Sequence, residues 1–217
     1  MNWYKIASKN IKLDKQLMGL VIEIASEMIK FYGKQFEIEY LGKEEFINQY
    51  TNRKQEISVF VLGKKIDAIA VYSPESLILN VYPNSLITHI KDKGIILEYF
   101  RQAIYHELVH AVDPSMIFLK RDVSNSGCDY YSSPYEFNAY SSQISEDILY
   151  NFKTDKSILE DIKQWLRFDK NYPLILKPYD KIIDCWRLND NDNGTKYLRM
   201  FKQKLYELCG FLLIKEE

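Results

Sequence analysis

The chain has 217 residues, 47% of them apolar and 27% charged, and carries a net charge of −1 at neutral pH. This is a globular composition rather than a disordered one, and 17 Tyr with 11 Phe supply bulk for a sizeable core. Near-zero net charge, with no run of five like charges, removes the electrostatic footprint of a nucleic-acid binder.

The N-terminal stretch Met1-Asn2-Trp3-Tyr4-Lys5 lacks the apolar segment of a signal peptide. No uninterrupted apolar run approaches the ~18 residues of a membrane span. Cys128, Cys185 and Cys209 are odd in number and scattered, with no CxxC knuckle. They predict buried free thiols in a reducing compartment rather than a disulfide framework. The expectation is a cytoplasmic protein with no membrane partner; non-classical export or packaging into a particle would leave no mark of this kind.

In chain order, Leu17, Leu20, Val21, Ile24, Met28 and Phe31 recur at helical spacing and predict a helix over Leu13–Phe31. Phe36–Leu41 reads as a strand, Glu44–Tyr50 as a short helix and Ile57–Leu62 as a second strand. Ile66–Tyr72 and Leu77–Tyr82 flank the polar turn Ser73-Pro74-Glu75-Ser76, the pattern of a hairpin. From Ile95 the period changes, and Leu97, Phe100, Ile104, Leu108 and Ala111 keep one apolar face up to Pro114, where the helix should stop. Lys120–Ser133 is polar and reads as a loop, followed by a helix over Pro134–Tyr150. Three amphipathic helices follow, around Ile158–Leu166, Asp180–Leu188 and Thr195–Cys209, with Gly210 at the end of the last. The predicted class is α+β in one domain, 1–217: a helix with a small mixed sheet over 1–94, the central helices over 95–150, and a helical part over 151–217.

The chemistry concentrates in His106-Glu107-Leu108-Val109-His110. Residues four apart share one helix face, so both imidazoles can converge on one ion, and Glu107 lies beside them. In HExxH sites this carboxylate is a base toward the attacking water rather than a ligand. The chain has three histidines, and two form this pair. A chance match on an ordinary amphipathic helix is the alternative. A catalytic zinc takes three protein ligands. Asp113 and Met116 stand where a metzincin would have Gly and His, and no histidine follows His110. His89 reads better as a surface or core residue than as a ligand. The third ligand is therefore expected to be a carboxylate. Glu136 is the best candidate and Asp129 its competitor. Ser133-Pro134-Tyr135-Glu136 is also a good capping box, in which Glu136 would reach back to the Ser133 amide. Asp113 reads either as a partner that hydrogen-bonds a metal-bound imidazole or as a helix-end residue before proline.

HExxH followed by Glu136, with the small residue Ala139 three positions on, resembles the gluzincin branch of zincin metallopeptidases. His110-Ala111-Val112-Asp113 and the Tyr-rich approach to Glu136 look similar to the lethal-factor-like and Pro-Pro endopeptidase group. A tyrosine seven residues before the third ligand contributes to catalysis in that group. Asp129 occupies this position here, with Tyr130 and Tyr131 immediately after it. The resemblance covers about Leu77–Tyr140 and implies a zincin-like fold with one zinc ion per chain held by His106, His110 and Glu136. It further implies peptide-bond hydrolysis with Glu107 as base. Tyr130, Tyr131 or Tyr135 would be the oxyanion donor. An edge strand above the active-site helix, supplied by the hairpin, would receive a peptide or protein substrate. The competing reading is an inactive zincin-fold binding or structural protein, alone or as one component of a larger assembly.

Overall fold

The computed structural model describes residues 11–86, 92–114, 127–192 and 197–214. His89, most of the loop expected over Lys120–Ser133, and the start of the helix expected from Thr195 lie outside the described residues. The class is α+β, with helices and a small mixed four-stranded sheet. The internal contacts divide the chain into two compact units, one within residues 11–118 and one within 119–217.

The first unit opens with α1, Lys15–Phe31, capped by Asp14, whose carboxylate accepts from the Leu17 amide. Leu17, Val21, Ile24, Ala25 and Met28 form its buried stripe. Strands β1 (Ile38–Asn48), β2 (Arg53–Leu62), β3 (Ala70–Ser73) and β4 (Ile78–Val81) follow in the order β1-β2-β4-β3. The β1–β2 and β3–β4 pairs are antiparallel, and β2–β4 is parallel. Helix α2 spans Lys93–Val112, capped by Asp92 and ending at Asp113 before Pro114. Alternation on β2 and β4 turns Ile57, Val59, Val61, Leu79 and Val81 into the core with Phe100, Ile104 and Leu108 of α2. Each such side chain contributes about 1.5–3 kcal/mol by leaving water. Both α1 and β3 pack against α2.

The main departure from expectation in this unit lies in β1. Glu44–Tyr50 is not a helix: β1 runs on to Asn48, beyond a register shift between Tyr40 and Gly42. Glu is a good helix former, but pairing with β2 over ten positions outweighs that local preference and buries Phe46 and Asn48. The Asn48 side chain accepts from the Tyr50 and Thr51 amides to close the hairpin, and its amide donates to the Val112 carbonyl, 3.1 Å away. Gly63 is required where the chain leaves β2. A Cβ there would sit 1.8 Å from the Phe36 carbonyl oxygen. The expected hairpin does form, although only Ala70–Ser73 of its first limb is strand.

The second unit holds α3 (Cys128–Tyr131), α4 (Pro134–Phe152), α5 (Ser157–Phe168), α6 (Asp180–Asp192) and α7 (Tyr197–Ile214). Phe137, Ile144, Trp165, Trp186, Phe201 and Leu205 form the centre of its core. Phe137 meets Trp186 edge-on at 4.9 Å, and Trp186 meets Phe201 at 5.1 Å. Part of the segment expected to be a loop is therefore a short helix, α3. The free-thiol expectation fails for two of the three cysteines. Cys128 on α3 and Cys185 on α6 form a disulfide across 57 residues of sequence, while Cys209 stays a buried free thiol whose pKa burial raises. Sequence spacing could not reveal this pair, because folding back of α6 brings the two residues together.

Candidate functional site

In the first unit the functional side chains lie on α2. The i, i+4 spacing puts His106 and His110 on adjacent turns, both buried. Their Nε2 atoms are 3.2 Å apart and their rings stand nearly perpendicular, at 85°. Tetrahedral zinc with bonds of about 2.0–2.1 Å holds two imidazole nitrogens about 3.4 Å apart, so the pair fits a shared ion. The same spacing suits a hydrogen bond in which one neutral ring donates to the other. Both rings charged at this distance would be strongly repulsive.

Glu107 points toward the sheet. Its Oε2 accepts a hydrogen bond from the backbone N–H of Tyr72 on β3, at 2.7 Å. The hairpin thus reaches the HExxH helix as expected, with β3 at one edge of the sheet. Sequence reading did not single out Tyr72. Its contribution is a backbone amide, which residue identity does not advertise, and only the strand alternation could have pointed to it. Burial pushes its phenol up to about 12, which keeps it protonated at neutral pH. Asp113 is buried at the C-terminal end of α2, where its amide donates to the Val109 carbonyl.

In the second unit, Asp129, Tyr130 and Tyr131 all lie on α3. Asp129 is exposed, with Gly127 supplying the positive φ that starts the helix. Tyr131 is fixed structurally: its ring meets those of Tyr130 and Tyr140 edge-on, and its carbonyl accepts from the Trp186 indole at 2.7 Å. The Cys128–Cys185 bond and this indole contact together tie α3 to α6. Tyr130 and Tyr135 are half-buried.

Glu136 is in the first turn of α4 and only 3% exposed. The capping box does not form. Ser133 makes no side-chain cap, its hydroxyl donates instead to the Tyr130 carbonyl, and its amide donates to that same carbonyl. The Ser133 amide is therefore taken by backbone and not by the Glu136 carboxylate. A carboxylate this deeply buried needs a cation or several donors to remain ionised.

No helix among the described residues is long and apolar enough to cross a membrane. Comparison with family models, with curated proteins and with solved structures finds no match for this chain.

Proposed function

We propose that the protein is a zinc metallopeptidase in which His106, His110 and Glu136 hold the metal and Glu107 is the general base. The observation that carries this reading is the 3.2 Å approach of the two buried Nε2 atoms on a helix that also presents Glu107. Among the described residues, His106, His110 and Glu136 are the buried group of His, Cys, Asp and Glu side chains that could hold a metal ion. Two neutral nitrogens and one carboxylate oxygen are the donor set of catalytic zinc sites that keep a position open.

Zinc bound there would supply Lewis acidity toward a peptide carbonyl and lower the pKa of water toward neutrality. The chain's own residues do the rest. Glu107 accepts the proton of the attacking water and returns it to the departing amine nitrogen, so one carboxylate serves as base and then as acid. A neutral tyrosine hydroxyl stabilises the oxygen that gains charge. Tyr130 and Tyr131, whose rings meet edge-on on α3, are the candidates for this role. An extended peptide adds to the open edge of β3, where backbone groups orient it before any side chain selects it.

The Cys128–Cys185 disulfide favours an oxidising setting over the cytoplasm. That agrees with export or particle packaging of a protease that acts outside the cell that made it.

The test uses full-length protein purified without chelator. Metal analysis should find one zinc per chain, and new N-termini should appear when a denatured protein mixture is the substrate. Glu107→Gln should keep the zinc and lose at least ~10²-fold in rate. A wild-type chain that takes up no zinc on reconstitution, or a fully active Glu107→Gln, would overturn the reading.

A further inference from the structure

We infer that the backbone N–H of Tyr72 is a donor that positions Glu107, so the edge strand of the sheet helps orient the base. The ladder sets up this relationship. The Tyr82 amide donates to the Ile69 carbonyl at 2.7 Å, which puts 69/82 in phase with the hydrogen-bonded pairs of the ladder. Antiparallel pairs alternate between bonded and non-bonded, and Val71 faces Asn80 while Tyr72 faces Leu79. Val71 and Ser73 therefore spend their amides on β4, while Ala70 and Tyr72 direct theirs away from it. β3 has no other neighbour in the sheet, so these groups meet the open edge.

At Tyr72 the outward N–H is engaged by the Glu107 carboxylate at 2.7 Å, the short end of the N–H···O range. A glutamate on a helix has three side-chain torsions to settle. Here a strand amide fixes one of its oxygens, and that strand is itself packed on α2. The peptide-binding edge and the base are thereby linked. Ala70 is buried, and a peptide adding to β3 meets the Tyr72 carbonyl but not the Tyr72 amide. Its register is offset around the residue that holds the base. Tyr72 is thus a positioning residue, and this inference rests on the peptidase reading given above.

Proline removes only the donor, because this N–H lies outside the ladder and edge strands tolerate proline at such positions. In zinc-loaded full-length protein, Tyr72→Pro is compared with Tyr72→Ala, which keeps the amide. Relative to Ala, Pro should lower kcat by about tenfold or more with KM little changed and zinc content equal. Equal kcat in the two variants overturns the inference. The second measurement needs no catalysis: amide hydrogen exchange at Tyr72 in wild type and Glu107→Ala, read against Val71 in the same strand. Exchange at Tyr72 should quicken by about tenfold or more while Val71 stays as it was, since the acceptor of the Tyr72 amide is removed. Unchanged exchange at Tyr72 overturns the inference even if the protein cleaves peptides. If wild type cleaves nothing and Tyr72 exchange still responds to Glu107, the peptidase reading falls and the Tyr72–Glu107 positioning stands.

Discussion

The Nε2 atoms of His106 and His110 stand 3.2 Å apart, close enough for a shared ion or for one imidazole hydrogen bond, and these alternatives respond oppositely to mutation. If a metal is shared, either His→Ala change removes one of three protein ligands. Zinc content should then fall from one per chain to near zero at micromolar metal. If the rings only bond to each other, wild type and both variants bind equally little zinc. Metal analysis after dialysis against a weak chelator separates the cases. Zinc should also raise the melting temperature of wild type, since a ligand that binds only the folded state stabilises it.

The disulfide gives a prediction independent of any activity. Cys128–Cys185 closes a loop of 57 residues, which in the chain-entropy picture stabilises the folded state by about 4 kcal/mol. It also anchors α3, the helix that carries Tyr130 and Tyr131. Thiol counting on denatured, unreduced protein should find one free thiol, Cys209. Dithiothreitol or Cys128→Ser should lower the melting temperature by several degrees or more. Three free thiols in protein oxidised under mild conditions would contradict the bond.

What could be read from the sequence was whatever local periodicity encodes. The stripe on α1 and the run from Ile95 to Pro114 set two helices almost to the residue, because one face of each must be apolar. The His106–His110 pair was visible for the same reason, since spacing along one helix fixes proximity. Features set by distant parts of the chain were not visible. Glu44-Glu45-Phe46-Ile47 looks helical by local preference and is a strand because β2 lies beside it. Cys128 and Cys185 meet only after α6 folds back, and the Tyr72 amide belongs to the backbone of whatever residue occupies that place.

The buried phenol of Tyr72 supplies a pH test. Its pKa is raised by burial to about 12 from an ordinary value near 10. The folded state therefore holds this proton more tightly than the unfolded chain does. The stabilisation is complete below about pH 10 and is lost as pH rises from there toward 12. Chemical denaturation at a series of pH values should show stability declining over that window, and Tyr72→Phe should flatten the decline. An identical slope in the Phe variant would mean that other groups, such as Tyr172 with its similarly raised pKa, dominate.

Glu136 is the proposed third ligand, and its variants discriminate sharply. The structural alternative was a helix cap, but the Ser133 amide is bonded to the Tyr130 carbonyl and the box is absent. The Glu136 carboxylate is buried, at 3% exposure, in the group with His106 and His110 that could hold a metal ion. Glu136→Gln preserves shape and hydrogen-bonding capacity but supplies no anionic oxygen. If Glu136 binds the metal, zinc affinity should fall on the order of hundredfold, because about 10 kcal/mol or more of binding is shared among few ligands. The melting temperature without metal should change little, since Gln keeps the shape and can still hydrogen-bond. Asp129→Asn is the matched control: Asp129 is exposed on α3, and its loss should leave zinc binding intact. Titration of both apo variants with zinc against a competing chelator decides the assignment. Full affinity in Glu136→Gln together with weakened binding in Asp129→Asn would transfer the third ligand to Asp129, and equal affinity in all three proteins would remove both carboxylates from the site.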